Sequence, residues 1–373
     1  MAKYDVIVIG LGAMGSAALA ELAERGARVL GIEQFALGHD QGSSHGSTRI
    51  IRLGYFEHPS YVPLLHRTYE LWRKLEAKSG RKLMHITGIA EMGAPDSSVV
   101  AGTLAASRMH KLRHEVMTAA ETMTRFPAFR LPSHYVGVFQ PDGGFLAVEH
   151  ALETHIALAK AAGAEVRSGV ALRSVGQTAA GIRVETSEGS FEADQVIVSA
   201  GAWATRLIPN LPLRVTREVI AWFDPSEPAL FEPTRFPVFL LESPHGQHYG
   251  FPTFGQPGVK IAKHHHRNEA VDPDAVNRTV SDADAALIRP ALAGHIPAAN
   301  GRLLAAKTCL YTVTPDHDFI IDRTHGASRV IVASPCSGHG FKFAPVIGEI
   351  LADLATKGAT SHDISRFRLS RFG

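Results

Sequence analysis

The sequence is poor in cysteine, has no long apolar run and carries almost no net charge. Its 373 residues include two cysteines, Cys309 and Cys336, too few for the disulfide framework of a small secreted protein. No apolar run approaches the ~20 residues of a membrane-spanning helix. The 38 basic and 36 acidic residues leave a net charge of +2. These absences give no support to a membrane or nucleic-acid partner, so we expect a small-molecule partner.

We expect neither a leader segment, nor a serine-hydrolase site, nor a metal site in this sequence. Residues 1–4 lead directly into an apolar strand, without the charged and apolar regions of a signal peptide, so we expect a cytoplasmic protein. Residues 42–46 read GSSHG, which has the Gly-x-Ser-x-Gly spacing, but we do not interpret this loop as the nucleophile elbow of a serine hydrolase. His264, His265 and His266 are adjacent, and neighbouring residues on a strand point to opposite faces. We therefore predict no metal site.

Near the N-terminus, an apolar strand at residues 5–9 runs into three glycines with the spacing of a dinucleotide-binding turn. Gly10 permits the tight turn, Gly12 lets the backbone approach a pyrophosphate, and Gly15 allows close packing of the following helix. A helix, a second strand and then Glu33 follow, about 20 residues on. A carboxylate there accepts ribose hydroxyls and disfavours a 2′-phosphate. The motif leaves NAD and FAD both open.

Two later segments also suit an anionic ligand. The glycine- and serine-rich loop 39–49 contains Arg49 and is followed by Arg52, so it combines backbone donors with two cations. The segment 336–343 lies between a predicted strand and a predicted helix, and it adds Lys342 at the helix N-terminus. We expect both segments to face the ligand that the glycine turn binds.

The remaining pattern predicts two domains, because the chain is too long for one small core. Helices are predicted at residues 16–25, 61–76, 149–162, 281–292 and 343–354. Strands are predicted at residues 28–32, 165–167, 171–175, 181–186, 196–203 and 329–333, with further β pattern between 213 and 263. Residues 79–146 mix short strands with one helix. The strand ending at Ala200 and Gly201 again allows close approach of a cofactor.

Four further segments, together with the glycine turn, closely resemble monomeric sarcosine oxidase and N-methyltryptophan oxidase. In chain order they read SHGSTR at 44–49, YGFP at 249–252, CLYTVTPD at 309–316 and SGHGFK at 337–342. The resemblance covers nearly the whole chain and implies an α/β fold. An FAD-binding Rossmann-type domain, similar to glutathione reductase and D-amino-acid oxidase, would be joined by an α+β substrate domain with a mainly antiparallel sheet. The FAD-binding domain would comprise residues 1–78, 147–212 and 307–373, and the substrate domain residues 79–146 and 213–306.

The resemblance also implies specific roles. FAD would be bound covalently through the flavin 8-methyl group to the sulfur of Cys309, whereas Cys336 would be a packing residue. The expected catalytic residues are Lys260, which would promote oxygen reduction beside flavin N5, His45 and Arg49, which would flank the flavin, and His264. The expected substrate-binding residues are Arg52 and Lys342, for the carboxylate, and Tyr249 and Leu240. Cofactor contacts are expected from Gly10, Gly12, Met14, Gly15, Glu33, Ser43, Thr48, Arg49, Val170, Ala200, Gly201, Trp203, Cys309, Gly338, His339, Gly340 and Lys342.

The implied function is oxidation of a secondary amino acid, such as an N-methyl amino acid, to an imine that hydrolyses, with O2 reduced to H2O2. A monomer is expected. Leu240 stands where sarcosine oxidase has methionine, and Lys263 replaces a tyrosine, so the substrate stays open. A cyclic imino acid or a glycated amino acid is an alternative. An NAD-dependent dehydrogenase and a non-catalytic flavin redox sensor are further alternatives.

Overall fold

The computed structural model describes residues 3–179, 181–324 and 327–373. In chain order its strands are β1 (Lys3–Ile9), β2 (Val29–Glu33), β3 (Thr48–Ile51), β4 (Met84–Ile86), β5 (Ile89–Gly93), β6 (Glu115–Thr118), β7 (Val136–Gln140), β8 (Gly144–Ala147), β9 (Glu165–Ser168), β10 (Leu172–Thr178), β11 (Gly181–Thr186), β12 (Gly189–Val198), β13 (Arg214–Phe223), β14 (Val238–Ser243), β15 (Gly246–Gly250), β16 (Val259–Lys263), β17 (Leu303–Val313), β18 (Ile320–Thr324) and β19 (Ala327–Ser334). Its α-helices are α1 (Ala13–Glu24), α2 (Val62–Ser79), α3 (Ser98–Met109), α4 (Ala119–Arg125), α5 (Val148–Ala161), α6 (Ala204–Leu207), α7 (Asp282–Ala285), α8 (Arg289–His295) and α9 (Ala344–Lys357).

The first sheet is built around β1, whose apolar side chains are almost fully buried. β1 pairs in parallel with β2 and β12, β2 pairs in parallel with β9, and β12 pairs in parallel with β19. β10, β11 and β12 extend this sheet as an antiparallel meander. Helix α1 packs between α5 and α9. A Cβ atom at Gly348 would lie 2.8 Å from the backbone of Ala17, so this glycine allows α9 to approach α1 closely.

The second sheet has eight strands in the order β17, β13, β16, β15, β14, β5, β7 and β6. Its pairs are antiparallel except for β14 with β5. One face packs on an aromatic core that includes Phe129, Phe223, Phe236 and Phe239. The mainly antiparallel sheet expected for the second domain is therefore present. A small third sheet, β3, β8 and β4, carries Arg49 on β3.

The structure confirms the α/β fold but corrects two of the predicted elements. The single helix predicted at 281–292 is wrong, because α7 ends at Ala285 and α8 begins at Arg289. Pro290 lacks a backbone N–H and restricts the residue before it, so a continuous helix is disfavoured there. The segment 79–146 contains two helices, α3 and α4, rather than one.

Three boundaries of the proposed domain division fall inside elements: 78/79 at the last residue of α2, 146/147 at the last residue of β8 and 306/307 in β17, of which the last needs the largest adjustment. The boundary between residues 306 and 307 falls inside β17, which pairs with β13 from Leu303 to Val313. Because β17 belongs to the second sheet over this length, we propose to move the boundary to the residue after Val313. The rest of the division remains a proposal. Within the described part of the chain, no helix is both long and apolar enough to cross a membrane.

Candidate active site

The glycine turn joins β1 to α1 and leaves the helix N-terminus open. Gly10 has φ +84°, and a Cβ atom there would lie 2.7 Å from the carbonyl oxygen of Ser199. A Cβ atom at Gly15 would lie 1.8 Å from the carbonyl oxygen of Gly10, so a larger residue cannot fit without moving the backbone. A Cβ atom at Gly12 would meet the Ser44 hydroxyl at 3.4 Å. Gly12 lines the cleft at the N-terminus of α1, a position that suits a phosphate group.

Glu33 ends β2 beside this turn, and its carboxylate is held by backbone donors. Oε2 accepts the Leu11 N–H at 2.8 Å, and Oε1 accepts the Phe35 N–H at 3.1 Å. Burial alone would raise the pKa of Glu33, but His39 and these two backbone donors together lower it. The carboxylate is therefore ionised at the place where a dinucleotide ribose is expected.

A single cleft runs from the glycine turn to the second sheet. At one end it is lined by residues 9–14 and Glu33, and in the middle by residues 42–44 and 199–203. At the other end it is lined by Ile50, Arg52, Glu57, Leu240, Gln247, Tyr249, Phe251, His264, Cys309, Leu310, Tyr311, Thr312, Gly338, His339, Gly340, Phe341 and Lys342. Gly201 has φ +50°, and a Cβ atom there would have no heavy atom within 4 Å. A long cleft with glycines open to it fits an extended dinucleotide such as FAD.

One face of the second sheet supplies many of the expected reactive residues. Residues opposite one another on neighbouring strands share a face, as do residues two positions apart on one strand. By this rule the pairs Trp222–Lys260, Glu218–Cys309, Tyr249–Ala262, Leu240–Tyr249 and Leu240–Glu91 all fall on the same face. The sequence separation of these residues is large, and only the strand order brings them together.

Cys309 lies on this face beside the guanidinium of Arg49. The two side chains are 3.6 Å apart, from Nη2 of Arg49 to Sγ, and the same Nη2 donates to the carbonyl oxygen of Ser43 at 2.7 Å. Cys309 is only 2% exposed. Burial raises the pKa of its thiol, and Arg49 acts against that rise by stabilising the thiolate. The sulfur therefore borders the cleft with a cation next to it.

Lys260 lies behind the cleft wall and does not line it. Its Nζ donates to the carbonyl oxygens of Gly46 and Thr48, both at 2.7 Å, and to the Thr48 hydroxyl at 3.1 Å. The Nζ atom also lies 4.6 Å from the ring centroid of Phe251. Burial lowers the pKa of Lys260 well below its ordinary value, and Arg49 lowers it further. The three oxygens match the three donors of an ammonium group.

His45 is another expected flavin neighbour that lies outside the cleft lining. Its Nε2 is 3.2 Å from the carbonyl oxygen of Gly42, and its buried Nδ1 has no partner among the described residues. Burial and the charge of Arg49 lower the pKa of His45 to about 3. The ring is therefore neutral at physiological pH and cannot supply a fixed positive charge.

At the far end of the cleft, two cations and one carboxylate lie together. Nη2 of Arg52 donates to both oxygens of Glu57, at 2.8 and 2.6 Å, and its guanidinium lies 4.3 Å from the ring centroid of Tyr55. Burial alone would raise the pKa of Glu57, but Arg52, His339 and Lys342 lower it to about 2. Burial and the charge of Arg52 lower the pKa of Lys342 to about 7. A ligand carboxylate would meet Arg52 already paired with Glu57.

Aromatic and neutral side chains complete this end of the cleft. Tyr249 and Phe251 contact edge to face, with ring centroids 6.1 Å apart. Nδ1 of His264 lies 3.3 Å from the Tyr311 hydroxyl. Burial and the neighbouring His265 lower the pKa of His264 well below its ordinary value, so the ring is neutral. These walls suit the uncharged part of a small ligand.

The structure brings most of the expected site residues to one cleft. The expected residues that line it are Gly10, Gly12, Met14, Glu33, Ser43, Arg49, Arg52, Val170, Ala200, Gly201, Trp203, Leu240, Tyr249, His264, Cys309, Gly338, His339, Gly340 and Lys342. The expected residues that do not line it are Gly15, Thr48, His45 and Lys260.

Sequence reasoning missed Glu57 and Ser44. Ser44 Oγ accepts the Ala13 N–H at 3.1 Å, and Glu57 forms the ion pair with Arg52. A carboxylate so close in sequence to the expected anion-binding Arg52 was an available signal for Glu57.

The histidine run is not on a strand, contrary to the prediction. β16 ends at Lys263, and residues 264–266 form a turn in which His265 has φ +53°. Nε2 of His266 lies 3.3 Å from the Asp284 carboxylate, away from His264 and its partner Tyr311. Across the residues that the structure describes, there is no group of three or more histidine, cysteine, aspartate or glutamate side chains arranged to hold a metal ion.

Comparison with known sequences identifies two groups of relatives. Residues 5–354 match the family described as FAD dependent oxidoreductase. Monomeric sarcosine oxidase of Streptomyces avermitilis is 41% identical over 372 residues, which cover 98% of this chain and 96% of that protein. N-methyl-L-tryptophan oxidase of Salmonella heidelberg is 39% identical over 373 residues, which cover 99% of each chain.

Comparison with solved structures agrees with this result. NikD, described as an unusual amino acid oxidase essential for nikkomycin biosynthesis, has a TM-score of 0.87 at 29% identity, covering 99% of this chain and 98% of NikD. Glycine oxidase from Geobacillus kaustophilus has a TM-score of 0.84 at 19% identity, covering 100% of this chain and 99% of the other. The second similarity supports the fold alone.

Proposed function

The chain belongs to the family of monomeric sarcosine oxidases and N-methyl-L-tryptophan oxidases, and we propose that it oxidises a secondary amino acid, with an N-methyl amino acid as the first candidate. As a member of this family it is an FAD-dependent amino-acid oxidase that acts on CH–NH donors. FAD, rather than NAD, is therefore the dinucleotide for the glycine turn. We also propose that the protein is a cytoplasmic monomer.

One observation carries the substrate proposal. The cleft that starts at the glycine turn passes Cys309 and ends at Arg52 and Lys342, so a ligand carboxylate at that end would lie beyond the flavin position. Two cations next to neutral aromatic walls suit an amino-acid carboxylate whose amine points back along the cleft. This arrangement supports an amino-acid substrate but does not select one side chain.

The chain's own residues would bind and orient the substrate. Arg52 can offer a bidentate contact to a carboxylate if Glu57 gives way, and Lys342 can add a second contact. Tyr249 and the neutral ring of His264 would exclude water from the uncharged part of the substrate. Bound FAD would supply the acceptor for a hydride from the CH–NH carbon while the nitrogen loses a proton, and O2 would take up the two electrons and two protons as H2O2, leaving an imine that water hydrolyses.

We further propose that FAD is joined covalently to the sulfur of Cys309. Cys309 borders the cleft, and its sulfur lies 3.6 Å from the Arg49 guanidinium, which favours the nucleophilic thiolate. Cys336 also lines the cleft, but Arg49 is not among the groups that shift its pKa, which burial raises. The thiol with a cation beside it is the better candidate for the bond.

Replacement of Cys309 by alanine should abolish covalent attachment while FAD still binds. The other half of FAD would be held by the glycine turn and Glu33, which this substitution does not change. The measurement is the mass of the intact denatured protein, together with flavin absorbance in the precipitate and supernatant after acid treatment. Cys336→Ala is the matched control and should keep the flavin mass. A flavin mass that persists in Cys309→Ala would exclude this cysteine as the attachment site.

The test of the proposed function is oxygen uptake by the purified yellow protein over a panel of amino acids. The panel contains sarcosine, N-methyl-L-tryptophan, a cyclic imino acid, a glycated amino acid and the parent primary amino acids. We expect uptake with matching H2O2 formation for at least one N-methyl amino acid and much slower uptake for its primary counterpart. Oxygen uptake with only the cyclic or only the glycated compound would mean that this compound class, and not an N-methyl amino acid, is the substrate. Bound FAD without oxygen uptake for any compound would favour a redox sensor.

A further inference from the structure

A closed set of buried polar groups supports Arg52 from behind the cleft. Nη1 of Arg52 donates to the carbonyl oxygen of Gly54 at 2.7 Å, and the Gly54 N–H donates to Oε1 of Gln140 at 2.6 Å. The Gln140 amide in turn donates to Oε2 of Glu91. Oε1 of Glu91 lies 3.6 Å from Nε of Arg52. These contacts therefore form a closed ring that starts and ends at the Arg52 guanidinium.

The strand order of the second sheet places Glu91 and Gln140 at this position. Glu91 on β5 is opposite Leu240 on β14 and Val138 on β7, and Gln140 is two residues after Val138. All four residues therefore share the sheet face that borders the cleft. Glu91 is 0% exposed and Gln140 1% exposed. A carboxylate buried this deeply is costly unless it serves a charged partner.

Arg52 thus faces two carboxylates that differ in position. Glu57 lines the cleft and forms a bidentate contact, whereas Glu91 does not line the cleft. Because Oε1 of Glu91 lies 3.6 Å from Nε of Arg52, this interaction is a charge contact without a good hydrogen bond. We propose that Glu91, held by Gln140, is a positioning residue that fixes the Arg52 guanidinium. Glu91 also competes with the substrate carboxylate for the positive charge of this guanidinium. This inference rests on the proposed role of Arg52 in substrate binding.

The competition depends on the protonation of Glu91. Burial raises the pKa of Glu91 to about 7, against the lowering effect of Arg52. The charged groups that face Glu91 are Arg52 and Glu57, from the segment after β3, and Lys342. The neutral groups that face it are the Gln140 amide on β7 and the Thr103 hydroxyl on α3. Below pH 7 Glu91 is neutral, and Arg52 has one fewer counter-charge. Above pH 7 the ionised Glu91 weakens the binding of any carboxylate in the cleft.

Acetate, which carries a carboxylate but no amine, tests this competition without any catalysis. The experiment measures the Kd of acetate for the flavin-loaded protein by isothermal titration calorimetry at pH 6 and pH 9, in wild type and in Glu91→Gln. At pH 6 the two Kd values should agree, because both side chains are neutral. At pH 9 Glu91→Gln should bind acetate about tenfold more tightly than wild type, the effect of a coupling of ~1 pKa unit. Equal Kd values at pH 9, or weaker binding by the variant at both pH values, would overturn the proposal.

A matched control comes from another buried carboxylate, Glu218. Burial raises its pKa to about 7 as well, but its oxygens accept from the Thr216 hydroxyl and the His266 N–H, both at 2.7 Å, rather than facing Arg52. Glu218→Gln should keep the wild-type change of acetate Kd between pH 6 and pH 9. If it removed that change, the effect would be general to buried carboxylates and the proposal would fail.

The effect of Lys342 must be separated from that of Glu91. Lys342 loses its charge near pH 7, and this loss also weakens acetate binding as the pH rises. In Lys342→Met, acetate binding at pH 7 should still be coupled to proton uptake by Glu91. The number of protons taken up is obtained from the apparent binding enthalpies in two buffers of different ionisation enthalpy. This measurement keeps the proposal testable if Glu91→Gln does not fold, and the absence of proton uptake would contradict it. Failure of the proposed function would appear differently, as no oxygen uptake with any amino acid.

Discussion

Replacing Lys260 with methionine is expected to slow the reaction of the reduced enzyme with oxygen by about 10²–10³-fold, the usual loss when one preorganised electrostatic group is removed. Oxygen gains negative charge when it accepts an electron, and a fixed cation nearby stabilises that charge. The Lys260 ammonium is held in place by the carbonyl oxygens of Gly46 and Thr48. Oxidation of the amine under anaerobic conditions should change little. Stopped-flow absorbance of the flavin, first without and then with oxygen, separates the two rates.

The matched control is Lys263→Met, at the end of the same strand. Lys263 is three residues further along β16 and therefore on the other face of the sheet, so its loss should leave the oxygen reaction unchanged. Because burial lowers the pKa of Lys260, the wild-type oxygen rate should also fall as pH rises and the ammonium loses its proton. The Lys260→Met rate should not show this fall. An oxygen rate in Lys260→Met equal to wild type would mean that another cation, with Arg49 the nearest candidate, supplies the charge.

The start of the first sheet, from β1 through the glycine turn to β2, was the more predictable part of the fold, because contacts close in sequence determine it. The glycine spacing at Gly10, Gly12 and Gly15 is required by contacts within one turn, such as the 1.8 Å approach of a Cβ at Gly15 to the Gly10 carbonyl oxygen. Strands β1 and β2 are short apolar runs next to that turn. The break between α7 and α8 was not predicted, because the apolar pattern continues through Pro290, which disfavours a continuous helix.

The placement of Lys342 along the cleft was predictable from the glycines and cation before a helix, whereas Cys309 was singled out by the family resemblance. The site was not predictable where its contacts depend on the order, within the sheet, of strands that are far apart in the sequence. The Glu91 contacts with Arg52 and Gln140 depend on β5 lying between β14 and β7, which alternating strand patterns do not specify. The position of Lys260 behind Thr48, rather than in the cleft lining, depends on how the second sheet packs against β3. Such contacts follow from the assembled fold.

Replacing Arg52 with methionine is expected to raise KM for the amino-acid substrate by at least ~30-fold, because truncating one partner of a buried charge pair costs about 2–5 kcal/mol. The substrate carboxylate would lose its bidentate partner and would also meet Glu57, whose charge Arg52 otherwise balances. The fall in kcat should be much smaller, since the carboxylate keeps the same charge in the ground state and the transition state. Steady-state oxygen uptake over a range of substrate concentrations measures both constants.

The control for this variant is Arg73→Met, which removes an exposed guanidinium that also lies near an aromatic ring, 5.7 Å from the centroid of Tyr69. It should leave both KM and kcat at wild-type values. Lys342→Met should raise KM as well, but the double variant Arg52→Met/Lys342→Met should lose less than the two single losses combined, because both cations serve one carboxylate. An unchanged KM in Arg52→Met would mean that the substrate carboxylate lies elsewhere in the cleft, and fully additive losses in the double variant would mean that the two cations act independently.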